Sequence, residues 1–152
     1  MKYQEADNLS KSTYSSSYFI VESMRKIECA FRLLTCEESE ILRNNVMGKY
    51  SSAQSSFLWE KIIDCVSIQD QNAWMLIEEF LFNSSFIMFF DKGVDETMIE
   101  LNPSTQLTKI LEDCPGFVFY ITNIDYTYLL CFNDHDFLIG AGSASKWDIF
   151  QN

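Results

Sequence analysis

Along this chain the apolar positions change their spacing near the middle. Ile20, Met24, Ile27, Phe31 and Leu34 recur every three to four residues, which predicts a helix with one buried stripe. Thr35-Cys36-Glu37-Glu38 then matches a capping box, and Ile41, Leu42 and Val46 follow before Gly48 as a stop, so a second helix is expected. After the serine-rich stretch 51–56, the positions Phe57, Leu58, Ile62, Cys65 and Val66 read as a third helix. Asp70 is placed to cap a fourth over 73–82, with Trp74, Ile77 and Leu81 inward and Glu78 and Glu79 wet. Beyond Asn83-Ser84-Ser85 the apolar residues come instead in short runs bounded by turn formers, the mark of strands.

Phe86-Ile87-Met88-Phe89-Phe90 and Thr97-Met98-Ile99-Glu100-Leu101 flank Asp91-Lys92-Gly93 as a hairpin. A short helix from Pro103-Ser104, carrying Leu107, Ile110 and Leu111, must stop before Pro115-Gly116, because the residue ahead of proline disfavours helical geometry. Three runs then follow, 117–122, 127–132 and 137–141, separated by Asn123-Ile124-Asp125-Tyr126 and Asn133-Asp134-His135-Asp136. This is an antiparallel meander. Its alternation puts Phe117, Phe119 and Ile121 on one face and Val118, Tyr120 and Thr122 on the other, with Leu129 and Cys131 opposed to Tyr128, Leu130 and Phe132. Both faces are apolar, so the sheet requires helices on one side and a second layer or a partner on the other. Trp147 and Phe150 belong to a last short helix. The expected fold class is α+β: a helical N-terminal half packed on a roughly five-stranded antiparallel sheet, with one inserted helix and a short C-terminal helix. Residues 1–16 read as a flexible arm and 17–152 as a single domain.

A chain of 152 residues, 47% apolar and 15% aromatic, is long enough and apolar enough for one sizeable core, so its net charge of −11 sits on a folded object. That charge is uneven. Residues 1–50 hold seven Lys/Arg and seven Asp/Glu, whereas residues 51–152 hold four Lys against fifteen Asp/Glu. Such a field repels phosphate backbones and anionic membranes and accelerates encounter with basic proteins, so direct nucleic-acid binding is disfavoured. No apolar run approaches a membrane span, and the polar start of the chain does not resemble a secretory signal; a cytoplasmic protein is expected. Cys29, Cys36, Cys65, Cys114 and Cys131 are odd in number and lack a Cys-x-x-Cys pair, which fits free, mostly buried thiols in a reducing compartment. With one histidine in the chain a zinc site is disfavoured, and no cofactor is expected.

Three stretches carry candidate chemistry. Asp134-His135-Asp136 places the lone histidine between two acids, the arrangement a small hydrolase would use, but Asn and Asp are also the residues of a polar hairpin loop. Gly140-Ala141-Gly142-Ser143 ahead of a helix looks like a phosphate cradle, yet it sits at the end of the chain among Asp134, Asp136 and Asp148; a tight strand-to-helix turn is the simpler reading. The acids Asp91, Asp95, Glu96, Asp125, Asp134 and Asp136 all fall in loops of the sheet. On one edge they would form an acidic rim beside Tyr126 and Tyr128, a surface suited to a basic protein.

The run Phe119-Tyr120-Ile121-Thr122, then Leu129-Leu130-Cys131-Phe132-Asn133-Asp134-His135-Asp136-Phe137-Leu138-Ile139-Gly140-Ala141-Gly142, resembles the C-terminal end of small acidic immunity proteins of bacterial polymorphic-toxin and contact-dependent growth inhibition systems. The resemblance covers about the last third of the chain. It implies a non-catalytic cytoplasmic protein that binds a cognate toxin domain, often a nuclease with a basic groove, and blocks it. It also implies that the shared run marks the scaffold and does not locate the interface. An adaptor for another basic intracellular protein is the remaining alternative.

Overall fold

The computed structural model describes residues 2–3, 15–53, 57–102 and 106–151. The fold is α+β, with four α-helices among the described residues: α1 (Ser16–Lys26), α2 (Cys36–Tyr50), α3 (Ile77–Leu81) and α4 (Leu107–Glu112). Their strands are β1 (Lys2–Tyr3), β2 (Phe31–Leu33), β3 (Val66–Gln69), β4 (Phe86–Phe89), β5 (Ile99–Leu101), β6 (Pro115–Gly116), β7 (Phe119–Thr122), β8 (Tyr128–Phe132) and β9 (Phe137–Gly142). Seven of these form one antiparallel sheet in the order β2-β5-β4-β7-β8-β9-β3, while β1 and β6 pair separately and in parallel. Most of the arm expected over 1–16 lies outside the described residues; Lys2–Tyr3 is tied to Pro115–Gly116, and Ser15 caps α1.

The hairpin β4–β5 and the meander β7–β8–β9 stand where the apolar runs put them, with Ile121 opposite Leu130 and Cys131 opposite Ile139. Two further strands are corrections. Helix α1 ends at Lys26 because Glu28 takes a left-handed backbone (φ 56°), letting the Cys29 and Glu28 amides bond back to the Met24 and Arg25 carbonyls; Phe31–Leu33 then pairs with β5 as one edge strand. The third helix expected from Phe57 is a single 3₁₀ turn, Leu58–Lys61, and Val66–Gln69 becomes the other edge, paired with β9. The fourth begins as the 3₁₀ turn Ala73–Leu76 and ends where Phe82 turns left-handed. The second behaves as its capping box predicts, though it passes Gly48 and ends at Tyr50.

Both faces of the sheet are buried, as the doubled apolar pattern requires, and the chain itself covers both. Phe86, Met88, Ile99, Phe119, Ile121, Leu130 and Phe132 face Ile20 and Met24 of α1, Trp74 and Ile77, and Ile110 of α4. Trp147 and Phe150 pack inward against this layer from two short 3₁₀ turns rather than from a regular helix. On the other face Ile87, Phe89, Tyr120, Leu129, Cys131 and Ile139 meet Leu42, Val46 and Tyr50 of α2, with Leu58 closing the end. One helix and one 3₁₀ turn thus do on this side what several elements do on the first.

Candidate functional site

Successive antiparallel hairpins turn at opposite ends of a sheet, and this decides the fate of the expected acidic rim. The loops 90–98 and 133–136 emerge at the end where β4 and β8 finish, whereas 123–127 joins β7 to β8 at the far end. Asp125 and Tyr126 are therefore separated from the other acids by the length of the strands. Asp91, Asp95 and Tyr128 are not surface residues at all, being 5%, 9% and 6% exposed. What the structure does gather at the first end is Glu96 and Asp134, both exposed, with Asp136 half-buried. The continuous rim is replaced by two separate loop clusters.

The buried members have structural partners. Asp95 accepts from the Ser17 amide (2.9 Å) and the Thr97 amide (3.0 Å), pinning the start of α1 to the loop; burial pushes its carboxyl up, but these hydrogen bonds outweigh it and hold it below the ordinary value. Asp91 accepts the Leu58 amide (2.9 Å) and the Tyr120 hydroxyl (2.9 Å), and the Tyr120 oxygen in turn accepts the Trp59 amide (3.1 Å). Two consecutive amides of the 3₁₀ turn are thus fixed by one carboxylate and one phenol. Burial raises the Asp91 carboxyl above its usual value, although both hydrogen bonds and the half-buried Arg43 favour its charged form, and burial likewise raises the Tyr120 phenol well above its own. Arg43 lies with its guanidinium carbon 5.8 Å from the centre of the Phe89 ring, which stacks on Tyr120 at 5.2 Å.

This buried anchor positions aromatic surface. Trp59 is half-buried; its ring lies 24° from parallel with that of Phe57 at a centroid distance of 6.5 Å, and Phe57 is 41% exposed. His135 meets Trp59 edge-on at 5.6 Å, and its Nε2 is 3.7 Å from Asp134 Oδ1. Exposed Glu60 follows Trp59 in the chain, and its charge acts on Asp91. The candidate site is therefore Phe57, Trp59 and His135, with Asp134 beside His135, Glu60 next in the chain to Trp59, and Glu96 on the loop at the same end of the sheet. Sequence reasoning missed Phe57, Trp59 and Glu60, having placed them on a helix. The one signal that pointed here was Asp134 next to a loop histidine.

The other candidates resolve locally. In loop 133–136 the buried Asn133 accepts the His135 and Phe137 amides through Oδ1 at 3.0 Å each, and Asp136 takes φ 63°, so the polar-loop reading describes this stretch. The His135 side chain is 63% exposed rather than set in a cavity. At Gly140 a Cβ would come 2.7 Å from the Phe150 ring, and at Gly142 (φ +64°) it would come 2.5 Å from the Thr127 carbonyl oxygen; protein fills the space a phosphate would need. At the far end, Lys49 Nζ (2.7 Å) and the Tyr50 hydroxyl both bond to the Tyr126 carbonyl, fastening loop 123–127 to α2. All five thiols are free; Cys114 and Cys131 are buried as expected, whereas Cys36 and Cys65 are exposed. Among the described residues there is no group of three metal-ligating side chains, and no helix is long and apolar enough to cross a membrane. A cavity of about 330 Å³ between the end of α1 and α4, lined by Ile27, Glu28, Cys29 and Lys109, holds none of the candidate site residues.

Comparison with protein-family models, curated proteins and solved structures finds no match to this chain.

Proposed function

We propose that this protein is a non-catalytic, cytoplasmic binding module, an immunity protein that neutralises a cognate toxin domain of basic, nuclease type by covering it with an acidic, aromatic surface. The observation that carries this reading is the patch at one end of the sheet, where Phe57, Trp59 and His135 reach solvent with Asp134 beside His135, and where Glu60 and, on the neighbouring loop, Glu96 are exposed. Interface hot spots are enriched in aromatic residues set inside a polar border, and a net charge of −11 complements a nucleic-acid-binding groove while repelling the nucleic acid itself. The binding residues expected from sequence are revised accordingly: Asp134 and Glu96 stay, Trp59, Phe57 and Glu60 enter, and Asp125 becomes a control at the opposite end.

The test is co-expression with the product of the neighbouring reading frame, expected to be the variable C-terminal domain of a large secreted protein. That domain alone is expected to arrest growth, and this protein to restore it through a one-to-one complex whose association slows with salt. Replacing Glu60 and Asp134 together by lysine is expected to abolish protection, while Asp125→Lys leaves it intact. Protection unchanged by the double reversal would remove this patch as the interface, and no protection by the parent chain would remove the immunity reading. The alternative of a small enzyme built on His135 predicts a hydrolytic activity lost in His135→Ala with folding intact.

A further inference from the structure

We infer that the surface around Trp59 is the seat of an arginine side chain from the basic protein partner, its guanidinium laid on aromatic surface and its edge paired with Asp134. This rests on the binding reading above and adds the chemistry of the contact. The Phe57 and Trp59 rings lie 24° from parallel with their centroids 6.5 Å apart, Phe57 being 41% exposed, and ring faces carry the negative charge density that attracts cations. His135 links that surface to a carboxylate, since it touches Trp59 edge-on and lies 3.7 Å from Asp134, whose side chain is 54% exposed. Glu60, the next residue in the chain, adds a second exposed carboxylate.

A guanidinium suits this arrangement better than an ammonium. It is planar and weakly hydrated, so it can lie on a ring and keep its N–H edge for a bidentate pair with a carboxylate; an ammonium is a strongly hydrated point charge that gains little from the flat surface. An apolar anchor would strip water from Asp134 and Glu60 and supply no counter-charge. The seat is also preorganised. The backbone of the turn is held at consecutive amides by Asp91 and Tyr120, so little ordering remains to be done on binding.

The experiment uses the full chain and two synthetic peptides of equal length and charge, one carrying arginines and one lysines in a Gly-Ser background, titrated at low salt with binding read by fluorescence polarisation. The arginine peptide is expected to bind at least about fivefold tighter, in line with guanidinium stacking. Trp59→Leu should erase that preference without changing the far-ultraviolet spectrum, Asp134→Asn should weaken the arginine peptide more than the lysine one, and Asp125→Asn should change neither. Should Trp59→Leu fail to fold, the indole N–H resonances of the parent chain answer instead, Trp59 shifting with the arginine peptide alone. Equal affinities, a preference that survives Trp59→Leu, or binding of neither peptide overturns the seat. The basic-partner reading falls only with the growth-protection experiment, so the two failures are told apart.

Discussion

Tyr120 and Tyr128 are both buried tyrosines on adjacent strands, and they divide the two faces of the sheet. Tyr120 faces α2 and has a fully engaged hydroxyl, donating to Asp91 and accepting from the Trp59 amide. Tyr128 faces the opposite layer, packs its ring edge-on to Phe80 at 5.0 Å, and leaves its hydroxyl without a hydrogen-bond partner among the described residues. The face covered by several elements is closed mainly by shape and apolar area, with hydrogen bonds from the Ser17 amide to Asp95 and from the Ser23 hydroxyl to the Ile110 carbonyl fixing α1 at its start and against α4. The face covered by α2 and one 3₁₀ turn carries a buried polar centre, because a four-residue turn offers too little apolar surface to dock by packing alone and is held by directed hydrogen bonds. That difference puts the candidate site over the polar centre: what is fixed there by geometry can present Trp59 in one orientation.

The comparison is broken most severely at its acid. Asp91→Ala is expected to cost about 3 kcal/mol, since it leaves the Leu58 amide and the Tyr120 hydroxyl without their common acceptor and removes the charge that attracts the half-buried Arg43. Urea denaturation reads this directly, and a loss below about 0.5 kcal/mol would mean that the turn docks by packing after all. Tyr120→Phe, which keeps the ring and its stack on Phe89, should cost about 1–2 kcal/mol and speed hydrogen exchange at the Leu58 and Trp59 amides, with the amides of β9 little changed. Tyr128→Phe sharpens the contrast with the opposite sign. Removing an unpartnered buried hydroxyl is expected to leave stability unchanged or raise it by up to about 1 kcal/mol, a shift of roughly 2–4 °C in melting temperature for a domain this size.

The apolar face was largely legible in the amino-acid sequence, and the polar one was not. Alternation over Phe117 to Thr122 and Tyr128 to Phe132 assigns each side chain to the layer in which it lies, because a period of two admits only two faces. The capping box of Thr35 and Glu38 is likewise a local signal with a local cause. Both missed strands are sheet edges that follow a residue with positive φ, Glu28 and Asp64, at which no glycine announces the turn. Ile27, Phe31 and Leu34 keep helical spacing across the first break, so periodicity carried the helix through it. Asp91 was marked as an acid in a loop, where carboxylates are usually solvated. Its burial follows from Leu58 and Tyr120, 33 and 29 residues away, and no window of sequence contains that contact.

The smallest effect separates two acids of one loop by the sign of their pH dependence. Asp95 has a folded pKa below the ordinary carboxylate value, so the stability it contributes is complete above the ordinary value and is lost as pH falls from there through the lowered one. Asp91 is shifted the other way. Between its ordinary and its raised folded value the native state binds more protons than the unfolded chain, so stability is regained as pH falls through the raised value. Denaturation of the parent chain, Asp95→Asn and Asp91→Asn from about pH 7 down to about pH 3 spans the ordinary carboxylate range. Asp95→Asn should flatten the loss of stability in acid, and Asp91→Asn should steepen it, because the amide keeps an acceptor for Leu58 and Tyr120 while removing the group whose protonation favours the fold. If both variants flatten the curve, Asp91 is held as a stabilised carboxylate like Asp95, and the polar centre is an ion pair with Arg43 rather than a desolvated acid held by two donors.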